Sequence, residues 1–327
     1  MINTLNKIGL YYLIIFASLQ AHGNDSTKKV VLENVTINYH FKDVSSLDKE
    51  AEINKLVTLA FKEYTKLFQG LPRDKSGNTY TEISLYIKHG KYLGGEADPK
   101  YIDITWNDKK QFGFSTWQAI LLHELFHLWN AESFRYQSGK EHWFNEGFTE
   151  YYTYKTAAQL GLIKPSEALS IAVKAVGFYS SSKGLRTISM RDAGASNKTK
   201  FNNYFLVYHG GWAVALVLDT DIRQKTNGKK SLDDLMRWIY SNYHRDDALY
   251  DLEDIKKGLK EITNFDYTDF INSYVSGTTI IPISDYLPLS DALWALEFNK
   301  HNRNEYHKIF KTLGINHVPL NAPFKPQ

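Results

Sequence analysis

The segment of the sequence that most constrains the fold is His-Glu-Leu-Phe-His at residues 123–127. Two histidines four residues apart lie on one face of an α-helix, where both imidazoles can bind one metal ion. Apart from the motif's two histidines and its glutamate, the residues from Ile120 to Trp129 are apolar, which predicts a buried helix. Ser115 and Gln118 form a capping-box pattern at the start of this helix. Because buried imidazoles need a partner, a shared metal ion is favoured over two unrelated, solvent-facing histidines.

A second acidic segment supplies the remaining ligand. After eighteen intervening residues, Glu146 occurs in Trp-Phe-Asn-Glu-Gly-Phe-Thr-Glu-Tyr-Tyr, which predicts a neighbouring helix. His123, His127 and Glu146 together form the ligand set of a catalytic zinc site, which keeps its fourth position for water. Glu124 lies between the histidines and is placed to accept a proton from that water. The sequence therefore predicts one Zn²⁺ ion with Glu124 as the general base.

Glu150 follows Glu146 by four residues and lies on the same face of the predicted helix. Two interpretations of this residue stay open. In the first, its carboxylate accepts a hydrogen bond from the free ring nitrogen of a zinc-binding histidine, which is common around zinc. In the second, it is a solvated carboxylate on the protein surface.

The amino-terminal residues are typical of a secretory signal peptide, which predicts a periplasmic or secreted protein. A lysine-containing start is followed by an apolar run, Ile8 to Ala17, and by small residues near Ala21 and Gly23, so that residues 1–23 form the predicted leader. An uncleaved anchor is the alternative. The apolar run is too short to span a bilayer comfortably, so we expect no stable membrane anchor after cleavage.

The composition excludes several other kinds of site. The chain has 327 residues and no cysteine, which rules out disulfides, thiolate metal ligands and a cysteine nucleophile. The formal net charge is only +3, so the sequence predicts no nucleic-acid partner. The length suits one large domain or two modest ones.

The order of the predicted elements is α+β, with strands early in the chain and helices later. Residues 24–138 form a predicted β-rich lobe that ends in the zinc helix, residues 139–290 a helical lobe, and residues 291–327 a helical tail, with the metal where the lobes meet. The predicted strands are 30–41, 81–88 and 101–106. The predicted helices are 47–68, 144–160, one that begins at Pro165, 203–224, 231–242, 252–262 and 267–275. Residues 178–199 are rich in Ser, Gly and Lys and predict a long surface loop.

Three stretches of the chain resemble the gluzincin peptidases, and specifically the glycyl aminopeptidase family in the clan of aminopeptidase N. The specific one combines His-Glu-Leu-Phe-His-Leu-Trp-Asn at 123–130 with Trp-Phe-Asn-Glu-Gly-Phe-Thr-Glu-Tyr-Tyr at 143–152. Two weaker ones are Tyr-His-Gly-Gly-Trp at 208–212 with residues 216–223 and 229–236, and Tyr-Val-Ser-Gly-Thr-Thr-Ile-Ile-Pro at 274–282. The resemblance covers roughly residues 80–290.

The resemblance implies a thermolysin-like two-lobe metallopeptidase catalytic domain, with an amino-terminal β-rich lobe and a carboxy-terminal all-helical lobe. It implies that a zinc-activated water hydrolyses peptide bonds in a peptide or protein substrate. The matched positions make His123, His127 and Glu146 the zinc ligands, Glu124 the general base, and Tyr208 the residue that stabilises the oxyanion. A phenol aimed at the developing negative charge is suited to that role. The alternative for Tyr208 is a packed aromatic side chain on a helix.

One segment departs from the family pattern. Aminopeptidases of this clan have a Gly-x-x-Glu strand whose backbone pairs with the substrate and whose glutamate binds the free amino terminus. Here Gly94-Gly95-Glu96-Ala97 lacks the apolar residue between the glycines and the glutamate, so Glu96 is either a shifted amino-end anchor or a loop carboxylate. The resemblance implies an aminopeptidase, and because of this departure a zinc endopeptidase of the same fold stays open as the alternative. From another class, a catalytically idle, zinc-containing peptide-binding protein remains a second alternative.

Overall fold

A computed structural model describes residues 26–108, 116–243 and 248–286 of the chain. The predicted leader, residues 1–23, and the predicted helical tail, residues 291–327, lie outside the described residues. Within the described ranges, none of the helices combines the length and the apolar character needed to cross a membrane.

The described chain begins with a tight β-hairpin, where the sequence predicted a single strand over residues 30–41. Strand β1 (Ser26–Leu32) pairs antiparallel with β2 (Val35–Phe41). Glu33 and Asn34 form the turn, with φ angles of 50° and 71°. Two consecutive left-handed residues give the backbone twist that suits a two-residue hairpin. The prediction of one strand was wrong because this turn contains neither glycine nor proline, and apolar residues lie on both sides of it.

These two strands belong to a five-stranded sheet with the order β1-β2-β3-β5-β4. Strand β3 (Glu82–His89) is parallel to β2, and β5 (Tyr101–Trp106) is parallel to β3, in agreement with the two later predicted strands. Strand β4 (Gly94–Asp98) is antiparallel to β5 and forms one edge of the sheet. Among the residues that the structure describes, no strand pairs with the outer side of β4.

Helices make up most of the rest of the described chain, and nearly all of them follow the sheet in sequence. They are α1 (Val44–Asp48), α2 (Glu50–Phe68), α3 (Trp117–His127), α4 (His142–Gln159), α5 (Pro165–Ser180), α6 (Met190–Gly194), α7 (Asn197–Asn202), α8 (Tyr204–Lys225), α9 (Leu232–Asn242), α10 (Leu252–Thr263), α11 (Thr268–Ile271), which continues as a π-helical turn (Asn272–Ser276), and α12 (Ile283–Tyr286). Strands early and helices late match the predicted α+β order, and the long predicted helices are present.

Residues 178–199 form helical segments as well as turns, where the sequence predicted a long surface loop. Helix α5 extends to Ser180, and α6 and the start of α7 lie within the same range. The serines that suggested a loop are helix caps, because Ser189 accepts a hydrogen bond from the backbone of Asp192, and Ser196 from that of Thr199. Cap residues and loop residues have similar compositions, which explains the error.

Aromatic side chains pack α2 against the zinc helix predicted from the sequence, α3. The ring centroids of Tyr64 and Phe126 lie 5.0 Å apart, and Phe68 stacks on Trp129 at 5.8 Å. The Tyr64 hydroxyl also donates a hydrogen bond to the carbonyl of Leu122, at 3.1 Å. Such ring pairs add to the stabilisation from apolar burial, so they hold α3 firmly against α2.

Helices α4 and α8 cross with their backbones in contact at two glycines. A Cβ atom at Gly147 would lie 2.3 Å from Gly211 Cα, and one at Gly211 would lie 2.1 Å from the Trp143 carbonyl oxygen. Only residues without a side chain allow this approach. The crossing brings the residue before Gly147, Glu146, close to the aromatic residues at the start of α8.

Candidate metal centre

Helix α3 carries both predicted histidine ligands, and Thr116 caps its first turn. Thr116 Oγ1 accepts a hydrogen bond from Ala119 N at 3.2 Å. The predicted box of Ser115 and Gln118 is not what forms the cap. Ser115 lies outside the described residues, and Gln118 Nε2 donates to a carboxylate oxygen of Glu52 on α2 at 3.1 Å. The cap satisfies a backbone N–H group that has no partner within the helix.

The three predicted metal ligands converge in the structure. The Nε2 atoms of His123 and His127 lie 3.0 Å apart, and Glu146 Oε2 lies 3.5 Å from each of them. Ligand atoms about 2.0–2.1 Å from a tetrahedral zinc ion are roughly 3.4 Å apart, so these separations suit such an ion. The three side chains are 9–12% exposed. Two imidazoles and one carboxylate form a donor set that fits zinc.

The outer ring nitrogens of both histidines have partners that orient the rings. His127 Nδ1 lies 3.2 Å from the backbone oxygen of Asn130, and His123 Nδ1 lies 3.5 Å from Glu150 Oε1. Asn130 is fixed in turn by α4, because its Nδ2 donates to the Asn145 carbonyl at 3.0 Å. A proton on each Nδ1 leaves each Nε2 free to bind a metal ion. The structure thus brings Glu150 to the histidine face and not to the surface.

Glu124 lies between the metal ligands and the edge strand β4. A Cβ atom at Gly95 would stand 2.5 Å from Glu124 Cγ and 2.8 Å from its Oε1. The missing side chain at Gly95 therefore allows the strand to lie directly against this carboxylate. Burial raises the pKa of Glu124 above its ordinary value, which suits a group that must gain and release a proton near neutral pH.

The side chain of Glu96 leaves β4 on the opposite face from the neighbouring Gly95 position. Successive side chains along a strand leave it on opposite faces, and the Gly95 position faces α3. Glu96 pairs in register with Asp103 of β5 and is exposed. The Gly94 position has the same facing as Glu96, and a Cβ atom there would have nothing within 4 Å. The structure therefore brings Gly95 against Glu124, whereas the side chain of Glu96 leaves the strand on the opposite face. The charge of Glu96 still acts on Glu124, where it adds to the effect of burial in raising the pKa.

Tyr208, in the first turns of α8, lies beside the ligands. Its ring is parallel to that of His123, with centroids 6.5 Å apart, and stacks on Tyr204 at 4.0 Å. Burial, followed by the negative charge of Glu146, holds the pKa of the Tyr208 hydroxyl well above its ordinary value. The hydroxyl therefore keeps its proton at neutral pH and can donate it in a hydrogen bond.

Charges around the histidines are strongly coupled. Burial opposes protonation of His123, but the hydrogen bond with Glu146 and the charge of Glu150 outweigh it and raise the pKa of His123 to about 9. Burial likewise opposes ionisation of Glu146. Hydrogen bonds with His123 and His127, together with the charge of Lys200, nevertheless hold the Glu146 pKa well below its ordinary value. This pocket therefore stabilises positive charge at the position between the ligands.

Lys200 is a residue of this site that the sequence reasoning missed. It lies on α7, and its Nζ donates a hydrogen bond to Glu146 Oε1 at 3.0 Å. The residue is only 9% exposed. Lysine is abundant in this part of the chain, and nothing in the local pattern separates Lys200 from its exposed neighbour Lys198. Only the packing of α7 against α6 and α8 selects it.

Residues 116–210 match the model of the M61 glycyl aminopeptidase family. The resemblance predicted from the sequence is confirmed. This glycyl aminopeptidase-like segment contains the two histidines, Glu124, Glu146, Lys200 and Tyr208, whereas the edge strand β4 precedes it.

The fold of the chain is also similar to part of a larger solved protein. The crystal structure of an aminopeptidase N family protein from Idiomarina loihiensis is similar, with a TM-score of 0.70 and 15% sequence identity. The match covers 81% of this chain and 49% of that chain, so the present chain spans about half the length of that relative. None of the curated proteins compared with the chain matches it significantly.

Proposed function

We propose that this protein is a zinc-dependent peptidase, and that it acts as an aminopeptidase. The observation that carries the proposal is the buried donor set of His123, His127 and Glu146, with Glu124 beside it. The set lies inside the segment that matches the glycyl aminopeptidase family. A carboxylate with a raised pKa next to a three-donor metal site is the arrangement that hydrolysis by an activated water needs.

A bound zinc ion would be held by the two Nε2 atoms and by Glu146 Oε2, and would supply the charge that makes a water molecule acidic near neutral pH. Glu124 accepts the proton of that water and passes it to the leaving amine. Tyr208 donates a hydrogen bond from its hydroxyl to the substrate oxygen as negative charge develops there. Each role is consistent with the distances and the pKa shifts at the site.

Strand β4 offers a binding surface for the peptide backbone. It is an edge strand, and extended peptides bind such edges through main-chain hydrogen bonds. Gly95 lies in the middle of this edge and against Glu124. A peptide paired with β4 would therefore pass directly beside the general base.

The decisive experiment replaces Glu124 by glutamine and measures both zinc content and peptide hydrolysis. We expect the variant to bind one zinc ion per chain and to lose hydrolysis by about three orders of magnitude or more, because the amide cannot accept the proton. Glu82→Gln, on the exposed part of β3, is the matched control and should be fully active. Full activity of the Glu124 variant would contradict the proposal, as would a wild-type protein that binds zinc but turns over no peptide in a mixed library.

Aminopeptidase and endopeptidase activities are separated by the free amino terminus. We expect acetylation of a peptide substrate to reduce the rate by at least about tenfold, because a carboxylate that binds the ammonium loses its partner. If Glu96 is that carboxylate, it must reach around the sheet edge, and Glu96→Gln should remove the discrimination. Equal rates for free and acetylated peptides would favour the endopeptidase alternative.

A further inference from the structure

The two carboxylate oxygens of Glu146 have different neighbours. Oε2 lies 3.5 Å from the Nε2 atoms of both His123 and His127, whereas Oε1 lies 3.0 Å from Lys200 Nζ. A carboxylate can bind a metal ion through one oxygen or through both. In this site, one oxygen is turned to the two histidines and the other accepts a hydrogen bond from an ammonium group. The Tyr208 hydroxyl also forms a hydrogen bond with this carboxylate.

The position of Lys200 is fixed by its short helix. Ser196 Oγ accepts a hydrogen bond from Thr199 N at 3.2 Å, and Thr199 Oγ1 accepts one from Ser196 N at 3.1 Å. The Lys200 ammonium lies 5.5 Å from the ring centroid of Phe201 and 6.0 Å from that of Tyr208. The capped turn and the two rings direct the side chain inwards, so the ion pair with Glu146 is not a chance surface contact.

A buried ion pair of this kind has a cost that a function can explain. Removing an ammonium group and a carboxylate from water is unfavourable, and their mutual attraction often does no more than offset this desolvation cost. The chain could satisfy Glu146 with a neutral donor at lower cost. A lysine restrains the Glu146 carboxylate more strongly than a neutral donor does, because its hydrogen bond is charge-assisted.

We propose that Lys200 is a positioning residue that restricts Glu146 to one-oxygen metal binding and so keeps a coordination position open for water and substrate. The inference rests on the metal site of the proposed function. Without Lys200, Glu146 Oε1 loses its ammonium partner and can bind the ion as a fifth donor beside water, in the position that the substrate would take. The lysine therefore acts through Glu146 and does not touch the reacting atoms.

The test uses the cobalt-substituted protein, because the visible absorption of Co²⁺ is strong in four-coordinate sites and weaker in five-coordinate ones. We expect wild-type protein to give the strong spectrum and Lys200→Met to give the weaker one. Lys198→Met changes an exposed lysine of the same helix and should leave the spectrum unchanged. With zinc, kcat of Lys200→Met should fall about tenfold or more while KM stays within about twofold. Lys200→Gln, which keeps a polar side chain, repeats the measurement if the methionine variant does not fold.

The outcomes separate the two proposals. An unchanged cobalt spectrum in the folded Lys200 variants overturns the role of Lys200, while metal binding by the wild-type protein leaves the proposed function in place. A rise in KM with an unchanged spectrum also overturns it, because Lys200 would then contact substrate. If wild-type protein binds neither zinc nor cobalt, the metal site itself is wrong, and the proposed function fails.

Discussion

The carboxylates around the two histidines are held by different neighbours. Glu124 has the backbone of Gly95 against it, Glu146 has an ammonium group on one oxygen, and Glu150 faces His123. The three groups also differ in charge behaviour, since burial raises the pKa of Glu124 and Glu150 while partners lower that of Glu146. Similar side chains are thus suited to different tasks by their contacts.

Gly95 should be sensitive to the smallest possible substitution. In Gly95→Ala, the new Cβ would collide with Glu124 Cγ at 2.5 Å, so that the carboxylate or the strand must move. We expect kcat/KM for peptide hydrolysis to fall about tenfold to a hundredfold, since displacements near 1 Å can have effects of that size. Zinc content should stay at the wild-type value.

Gly94→Ala is the matched control, because a Cβ at Gly94 has nothing within 4 Å. It adds the same methyl group to the same strand and should leave hydrolysis nearly unchanged. Equal losses in both variants would indicate a general effect on β4 and would contradict the specific contact between Gly95 and Glu124.

Among the elements, the crossing of α4 and α8 does most to assemble the site. Helix α4 carries Glu146 and Glu150, and α8 carries Tyr208. Their separation is set by Gly147 and Gly211, where backbone lies against backbone. A change in this separation moves Glu146, a proposed metal ligand, relative to Tyr208, so packing at this crossing sets the geometry of the candidate site.

Gly211→Ala should therefore reduce both stability and activity. The added Cβ would lie 2.1 Å from the Trp143 carbonyl oxygen, which is backbone and cannot rotate away. We expect the free energy of unfolding to fall by about 1–3 kcal/mol or more, measured by urea titration, with a larger loss of hydrolysis than of zinc binding. Gly177→Ala on α5, where nothing lies within 4 Å, should instead be neutral or stabilise by about 0.5–1 kcal/mol. A Gly211→Ala protein with wild-type stability would contradict this account of the crossing.

At the scale of the whole molecule, an aromatic cluster joins α5 to α8 behind the tyrosines of the site. His209 belongs to this cluster, with its ring 5.2 Å from that of Phe178 and 5.6 Å from that of Phe205. Burial lowers the pKa of His209 to about 4. At mildly acidic pH, the His209 imidazole is therefore neutral in the folded protein and protonated in the unfolded chain.

This depressed pKa makes stability depend on pH in one direction. The ordinary histidine pKa is about 6.5, so the contribution of His209 is complete above that value and is lost as pH falls towards 4. We expect the free energy of unfolding of the metal-free wild-type protein to decrease between pH 7 and pH 4. In His209→Phe this decrease should be about 3 kcal/mol smaller than in wild type. The same decrease in wild type and His209→Phe would show that His209 is not responsible.

Local sequence patterns were enough to predict most of the helices and strands and the candidate metal ligands. The spacing of His123 and His127 in an apolar helix, and of Glu146 and Glu150 in the next one, follows from helix geometry alone, so the donors and their helix faces were accessible from the chain. The hairpin turn at Glu33 and Asn34 could not be predicted in this way, because residues other than glycine that adopt a left-handed backbone conformation have weak sequence signals.

By itself, the sequence determined which side chains can bind a metal ion and that two helices must bring them together. Tertiary structure decided which groups surround them. Gly95 meets Glu124, and Lys200 meets Glu146 from 54 residues further along the chain, because separate elements pack side by side. Helical periodicity predicts neighbours three or four residues apart. Contacts between elements depend on packing, on close glycine crossings and on the direction of strand side chains, and these are properties of the whole fold.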